Sequence, residues 1–281
     1  MNQGGIGANF IAGHRQMKRL TIIGYGAVAQ YVAKQVLQED ELEITSVIVR
    51  PGREQIARDM IGDYVATHVS VEQLKDKPDL VIDCAGHAAL RQHGESVLSL
   101  GINLASVSVG ALADHDLHAK LSTAARRSGA QLLMVSGAIG ALDALAAAKV
   151  GGLDRVVYRG RKPPRGWIGS PAEQTLDLER LTEPAVHFRG TARDAALHYP
   201  RNANVAALVA LAGLGFDETE VELIADPGIT ENIHEIKAEG EFGSFEFQIR
   251  GHALADNPKS SALTAMSVVR AALNQEASIV I

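Results

Sequence analysis

Cysteine is nearly absent. Cys84 is the one thiol in 281 residues, which excludes a disulfide framework and fits a reducing, cytoplasmic compartment. No apolar run reaches the roughly 18 residues that a membrane-spanning helix needs, so no membrane partner is expected. A basic excess is missing too. Lys and Arg number 27 against 33 Asp and Glu, a net charge of −6, which argues against nucleic acid or an anionic membrane as partner. The sequence has no Cys-x-x-Cys or His-Glu-x-x-His spacing, and the close pair His115 and His118 reads as solvated on a helix, so no metal is expected. No Gly-x-Ser-x-Gly elbow is present for a serine nucleophile. Residues 1–16 show neither an apolar period nor the charged start and apolar core of a signal peptide, and read as an extension outside the fold. With metal and nucleophile unsupported, hydride transfer on a bound cofactor is the chemistry left.

What is present begins at Thr21. The apolar strand Leu20–Ile23 runs into Gly24-Tyr25-Gly26-Ala27-Val28-Ala29 and then into a helical pattern of Val32, Val36 and Leu37. A dinucleotide pyrophosphate needs this order of strand, tight turn and helix N-terminus. Gly24 makes the turn, Gly26 lets the backbone approach the phosphates, and Ala29 is small enough for the helix to pack on the strand. Gly24, Gly26, Ala27 and Val28 are therefore candidate cofactor contacts. The next strand, Ile44–Val49, ends at Arg50, where an NAD-specific fold carries a carboxylate for the ribose hydroxyl. A guidanium-type side chain there pairs with a 2′-phosphate or stacks on adenine, so the cofactor reads as NADP or NAD. A solvated loop arginine is the alternative.

Strand and helix patterns keep alternating, with strands at Tyr64–Thr67, Leu80–Asp83, Asn103–Val107 and Gln131–Val135. A helix runs from His87 to Leu100 and ends at Gly101, and another is capped by Asp114 and ends at Ser128-Gly129. The fold class is thus α/β: a doubly wound parallel sheet, with ligands expected beyond the carboxyl ends of its strands. Cys84 sits at such an end, read as a small filler beside the cofactor with a nucleophile as the alternative. After Val135 a small-residue helix is expected from Ser136 to about Lys149. A strand at Asp154–Arg159, a basic turn through Lys162 to Trp167, and an acidic stretch at 172–184 follow. A short helix at Thr191–Asp194 and an apolar helix at Val205–Leu214 precede segments of period two. Val221, Leu223, Ile236, Ala238, Phe245, Phe247 and Ile249 share one face, and charged residues take the other. These read as a smaller α+β domain with a mixed, largely antiparallel sheet. The expected division is 17–135 for the nucleotide, with 258–281 packing back onto it, and 136–257 for substrate and catalysis.

His234 lies on the covered face with Ile236 and Ala238. Desolvation there lowers its pKa and favours the neutral imidazole that a general base requires. A satisfied core histidine fits the same spacing, and His187, His198 and His252 compete for the role. Arg161, Lys162 and Lys259 are cations in this half, each also readable as merely solvated, and the helix start after Asn202 offers N–H donors.

Taken in order, Gly24–Ala29, Ser136–Asp143, Lys162-Pro163-Pro164, Asn202–Ala206, Asp226-Pro227, Asn232–Ile236 and Asn257–Thr264 resemble the L-aspartate dehydrogenase family from Met17 to the end of the chain. The resemblance implies NAD(P)-dependent oxidation of the CH–NH2 group of L-aspartate through iminoaspartate to oxaloacetate and ammonia, reversible as reductive amination. It implies a role in NAD biosynthesis and a homodimer. Carried over by position, it makes Ala138 and Asn204 nicotinamide-side contacts and His234 the catalytic residue. Lys162, His198, Asn202 and Lys259 are the candidate substrate contacts. A reductase of the homoserine dehydrogenase or dihydrodipicolinate reductase type, and a non-catalytic NADP(H) sensor, are the rival readings.

Overall fold

Two sheets form because the apolar residues come in two patterns. In the first half the central strands are mostly apolar, as strands covered on both faces must be. β4 (Leu80–Asp83), for example, is buried at every residue. A computed structural model describes residues 17–254 and 257–280, the side chains of 257–259 excepted, so the 1–16 extension lies outside the described residues. The other strands of the first sheet are β1 (Lys18–Ile23), β2 (Leu42–Ile48), β3 (Ala66–His68), β5 (Asn103–Ser106) and β6 (Leu132–Met134). All pair in parallel, in the order β3-β2-β1-β4-β5-β6. That is the doubly wound arrangement, whose order reverses between β1 and β4 and opens a crevice at their carboxyl ends.

Helices α1 (Ala27–Val36), α2 (Glu54–Ile61), α3 (His87–Ser99) and α4 (His115–Ser128) cover this sheet. Asp114 caps α4 by accepting the N–H groups of Asp116 and Leu117, and Gly129 ends it at φ 76°. α2 was not expected from the sequence. It buries only Ala57 and Ile61, too few apolar positions to stand out as a period.

The small-residue helix starts later than its composition predicts. α5 spans Leu142–Gly151, and residues 136–141 form an irregular turn with Gly137 at φ 62° and Ala141 at φ 60°. The expected short strand is also longer: β7 covers Leu153–Lys162. It sits between β10 (Asn232–Gly240) and β9 (Glu220–Ala225), and pairing on both sides carries it through the basic residues. With β8 (Ala185–Thr191) and β11 (Gly243–Gly251) the second sheet has the order β11-β10-β7-β9-β8, antiparallel except for β7 with β9. β8 is an edge strand that was not expected, since only half of its residues are even partly covered.

One face of this sheet is wet, with Arg155 on Glu220 at 2.8 Å and Arg159 on Glu222 at 2.7 Å. The other is covered by α5, α6 (Ala192–His198) and α7 (Asn204–Ala212). α7 is buried from Val205 to Ala210, as a helix apolar all round must be. It packs on the short turn of 3₁₀ helix Val109–Ala113, and one core runs through both halves. A small hairpin of β12 (Ala253–Leu254) and β13 (Asn257–Ser261) leads to α8 (Ala262–Leu273), which returns to α1 and places Val268 and Ala272 among Leu20, Ile22 and Val32.

The loops at the crevice are tied by Asp83, fully buried at the end of β4. Its carboxylate accepts from Ser106 Oγ at 2.7 Å, Ser108 Oγ at 2.6 Å and the Ala85 N–H at 2.9 Å. Burial raises its pKa, and these hydrogen bonds pull against that rise. Replacing Asp83 with Ala strands the two buried hydroxyls of Ser106 and Ser108 and frees the Ala85 N–H, so urea denaturation of Asp83→Ala should show a stability loss of about 2–4 kcal/mol at unchanged m-value.

Candidate active site

β1 delivers the chain into Gly24, at φ 100°, where an added Cβ would come within 2.9 Å of Ala85 Cβ. Gly26 then opens α1 with no side-chain cap and no acidic residue in the first turn. An added Cβ at Gly26 would meet nothing within 4 Å, and the same holds at Gly86, φ 93°, on the facing loop. Bare backbone N–H groups at a helix N-terminus, with open space before them, fit a pyrophosphate. Ala27 and Val28 form the first turn, and Val28 lines the cleft beyond. Arg50 is exposed just past β2, with no ion pair among the described residues. These residues fit a nicotinamide dinucleotide.

The crevice continues into a cavity of about 300 Å³ between the two sheets, lined by Cys84, Ala138, Asn204, Lys162 and His234 among others. Burial, with the Asp83 carboxylate beside it, pushes the Cys84 thiol far above its ordinary range and disfavours the thiolate. Ala138 lies on the irregular turn before α5, which α8 anchors through a Gly137 N–H bond to Ser267 Oγ at 3.1 Å. Asn204 starts α7. Its Oδ1 accepts from the Gly110 N–H at 2.9 Å and lies 2.8 Å from His87 Nε2. Because the backbone can only donate, Oδ1 is the acceptor, His87 carries its proton on Nε2, and the Asn204 amide NH2 is left for the cleft.

His234, on β10, is 3% exposed. Its Nδ1 is 2.8 Å from Tyr158 Oη, so Nε2 is the nitrogen that faces the cavity. Burial, with help from Lys162, drops its pKa to about 3. The direction matches the sequence expectation. The size of the shift means the ring is neutral throughout the physiological range. Lys162 closes β7 with its ammonium 5.0 Å from the Trp167 ring centroid, and burial lowers its pKa to about 8. No carboxylate pairs with it among the described residues. Beyond Lys162 and Asn202 a second cavity of about 560 Å³ opens, with Arg165, Arg201 and His252 on its walls.

Other candidates fall elsewhere. His198 is exposed at the end of α6, its Nδ1 2.8 Å from the Asp194 carbonyl, and lines neither cavity. Helix geometry directs it back along its own turn. Arg161 points to the opposite face from Lys162, where Asp226 takes it at 2.9 Å. His187 packs edge-on against Trp167 with centroids 4.3 Å apart, and its pKa falls to about 4 through burial and Lys162. His252 is exposed at the rim. Asn202 lines both cavities and bonds the Gly166 carbonyl at 3.1 Å. The Lys259 side chain lies outside the described residues. Sequence reasoning missed Tyr158, which only strand register brings to His234, and Arg201, which lines both cavities. The one signal for Arg201 was its place beside Asn202 in the loop before α7.

Among the described residues no cluster of His, Cys, Asp and Glu is placed to hold a metal, and no helix is long and apolar enough to cross a membrane. Residues 24–134 match the family model described as homoserine dehydrogenase, NAD binding domain, and residues 143–275 match that of aspartate dehydrogenase, C-terminal. An L-aspartate dehydrogenase of Ruegeria pomeroyi is 55% identical, covering 92% of each chain. One from Cupriavidus necator is 51% identical over 92% of this chain and 98% of its own. The crystal structure of aspartate dehydrogenase from Thermotoga maritima superposes with a TM-score of 0.71 at 25% identity, covering 95% of this chain and 100% of that one. With a dinucleotide cradle leading to a buried histidine and a buried lysine, and with relatives of this identity over nearly its whole length, the chain belongs to the L-aspartate dehydrogenase family.

Proposed function

We propose that this protein catalyses the reversible NAD(P)-dependent oxidative deamination of L-aspartate, through iminoaspartate, to oxaloacetate and ammonia. One observation carries the reading. The nicotinamide end of the cradle, a desolvated histidine and a cation with no carboxylate partner among the described residues meet in one cavity. A four-carbon dicarboxylate supplies what that cavity lacks. A nicotinamide held by Gly24, Gly26, Ala138 and Asn204 would supply hydride chemistry at the substrate α-carbon. Lys162 holds one carboxylate and Arg201, reaching in from the rim, holds the other. The Asn204 amide orients the cofactor side, and burial keeps bulk water from the reacting carbon. His234 Nε2 meets the oxygen or nitrogen on that carbon and assists its proton exchange.

In this reading residues 17–135 with 258–281 bind the nucleotide and 136–257 bind substrate and carry catalysis. The protein works as a cytoplasmic homodimer that supplies iminoaspartate for NAD biosynthesis. The test is loss of reduced-nicotinamide absorbance on adding oxaloacetate and ammonium together. Turnover with oxaloacetate alone would make the protein a hydroxy-acid dehydrogenase instead.

His234→Ala should keep cofactor affinity and lose turnover by at least about 10²-fold, measured by fluorescence titration and steady-state rates. Arg50→Asp should shift the ratio of kcat/KM values from NADPH toward NADH, since a carboxylate repels the 2′-phosphate. Lys162 is charged only below its pKa of about 8. Calorimetric binding of succinate should therefore weaken as pH rises through that value, by about tenfold per unit above it. Lys162→Met should lose that dependence.

A further inference from the structure

His234 has two neutral tautomers, and only one of them presents a hydrogen to the substrate. The choice is made on the side of the ring away from the cleft. β7 and β10 pair so that Gly160 stands opposite His234 and Tyr158 opposite Ile236. Tyr158 and His234 are thus diagonal neighbours on one face, a separation that an aromatic side chain spans. Tyr158 spans it by lying across Gly160. An added Cβ at Gly160 would stand 2.7 Å from Tyr158 Oη and 3.2 Å from its Cε1. The backbone at Gly160 is not left-handed, so room for the phenol is the reason for glycine there. The two rings lie nearly parallel, centroids 6.1 Å apart and planes at 20°, with Oη 2.8 Å from Nδ1.

Tyr158 is 1% exposed, and burial raises its pKa, so it stays a phenol. Its hydroxyl has one partner among the described residues, and that partner is His234 Nδ1. If Nδ1 carried the proton, the phenol hydrogen would have no acceptor in a dry site, which is the costly arrangement. From this geometry we infer that Tyr158, seated over Gly160, is a positioning residue that fixes His234 as the neutral tautomer with its proton on Nε2, aimed into the cleft. His234 then meets the substrate as a hydrogen-bond donor. The matching acceptor is the oxygen on the α-carbon: the carbonyl of a 2-oxo acid or the hydroxyl of its ammonia adduct. Donation withdraws electron density from that carbon. This role rests on His234 acting at the substrate, as proposed above.

The test is two-bond ¹H–¹⁵N NMR of the uniformly labelled full chain at neutral pH, with the His234 ring assigned as the signals lost in His234→Ala. The expected spectrum shows a protonated Nε2 and an unprotonated Nδ1. Tyr158→Phe should convert this to a mixture of tautomers and lower kcat for oxaloacetate amination by roughly tenfold or more, the worth of one hydrogen bond, with KM for the cofactor unchanged. Gly160→Ala keeps the tyrosine but displaces its hydroxyl, and should give the same change at His234. A proton on Nδ1 in the unmodified protein, or unaltered His234 nitrogen signals in Tyr158→Phe, would overturn the assignment. Because the unmodified protein alone reports the tautomer, a variant that fails to fold does not block the test. Full turnover in His234→Ala alongside the expected spectra would refute the catalytic reading while leaving the tautomer lock in place.

Discussion

One carboxamide oxygen joins the two halves of the site. Asn204 Oδ1, on the helix that fills the second sheet's core, takes the Gly110 N–H and the His87 Nε2–H of the nucleotide side. The Gly110 N–H is buried and His87 is half-buried, so breaking this junction would strand at least the Gly110 donor, at about 1–3 kcal/mol. Everything else follows from its placement. It sets where α7 begins, points the Asn204 amide at the cleft, and brings the loop carrying Arg201 and Asn202 to the cavity wall. Gly110 is part of the same constraint, since a Cβ there would sit 2.9 Å from that oxygen.

The cavity so formed sets a few desolvated polar groups among apolar walls such as Val109 and Leu208. Lys162, His187 and His234 all have lowered pKa values, and in each the first cause is desolvation. Lys162 adds to the lowering at both histidines, so a charge on it disfavours protonation of either ring. An anion placed beside Lys162 would favour its charged form. The aromatic face of Trp167 under Lys162 supports the ammonium without neutralising it, which leaves it available to an incoming anion. An aspartate or glutamate in that place would have made a salt bridge and closed the site.

The two sheets divide the work by rigidity. The parallel sheet holds its loops through buried polar ties such as Asp83 with Ser106 and Ser108. The second sheet holds His234 and Lys162 on adjacent strands, so their spacing is a matter of strand register and not of loop conformation. Sites built on strands in this way need few supporting contacts, and here Tyr158 over Gly160 supplies the one that orients the imidazole.

Local features were legible in the chain. Gly24, Gly26 and Ala29 have meaning within one turn, and Asp114 and Gly129 cap a helix through near neighbours. The first sheet's strands announced themselves by apolar runs. Period two at Val221–Leu223 and Ile236–Ala238 marked the second sheet. α2 and β8 were not legible, because an exposed helix with two buried residues and an edge strand bury too little to impose a period. Small residues at 136–141 promised a helix, but two left-handed residues turn the chain there first. His198 and His234 looked alike as letters, and burial separated them. What the sequence determined by itself is therefore whatever depends on neighbours within a turn or a strand: the dinucleotide cradle, the alternation of elements, and the covered face carrying His234. The tertiary structure alone decided that Tyr158 reaches His234, that Arg161 is consumed by Asp226, and that Lys162 has no carboxylate partner among the described residues. Those facts depend on strand register and desolvation, which arise only when segments far apart in the chain exclude water together.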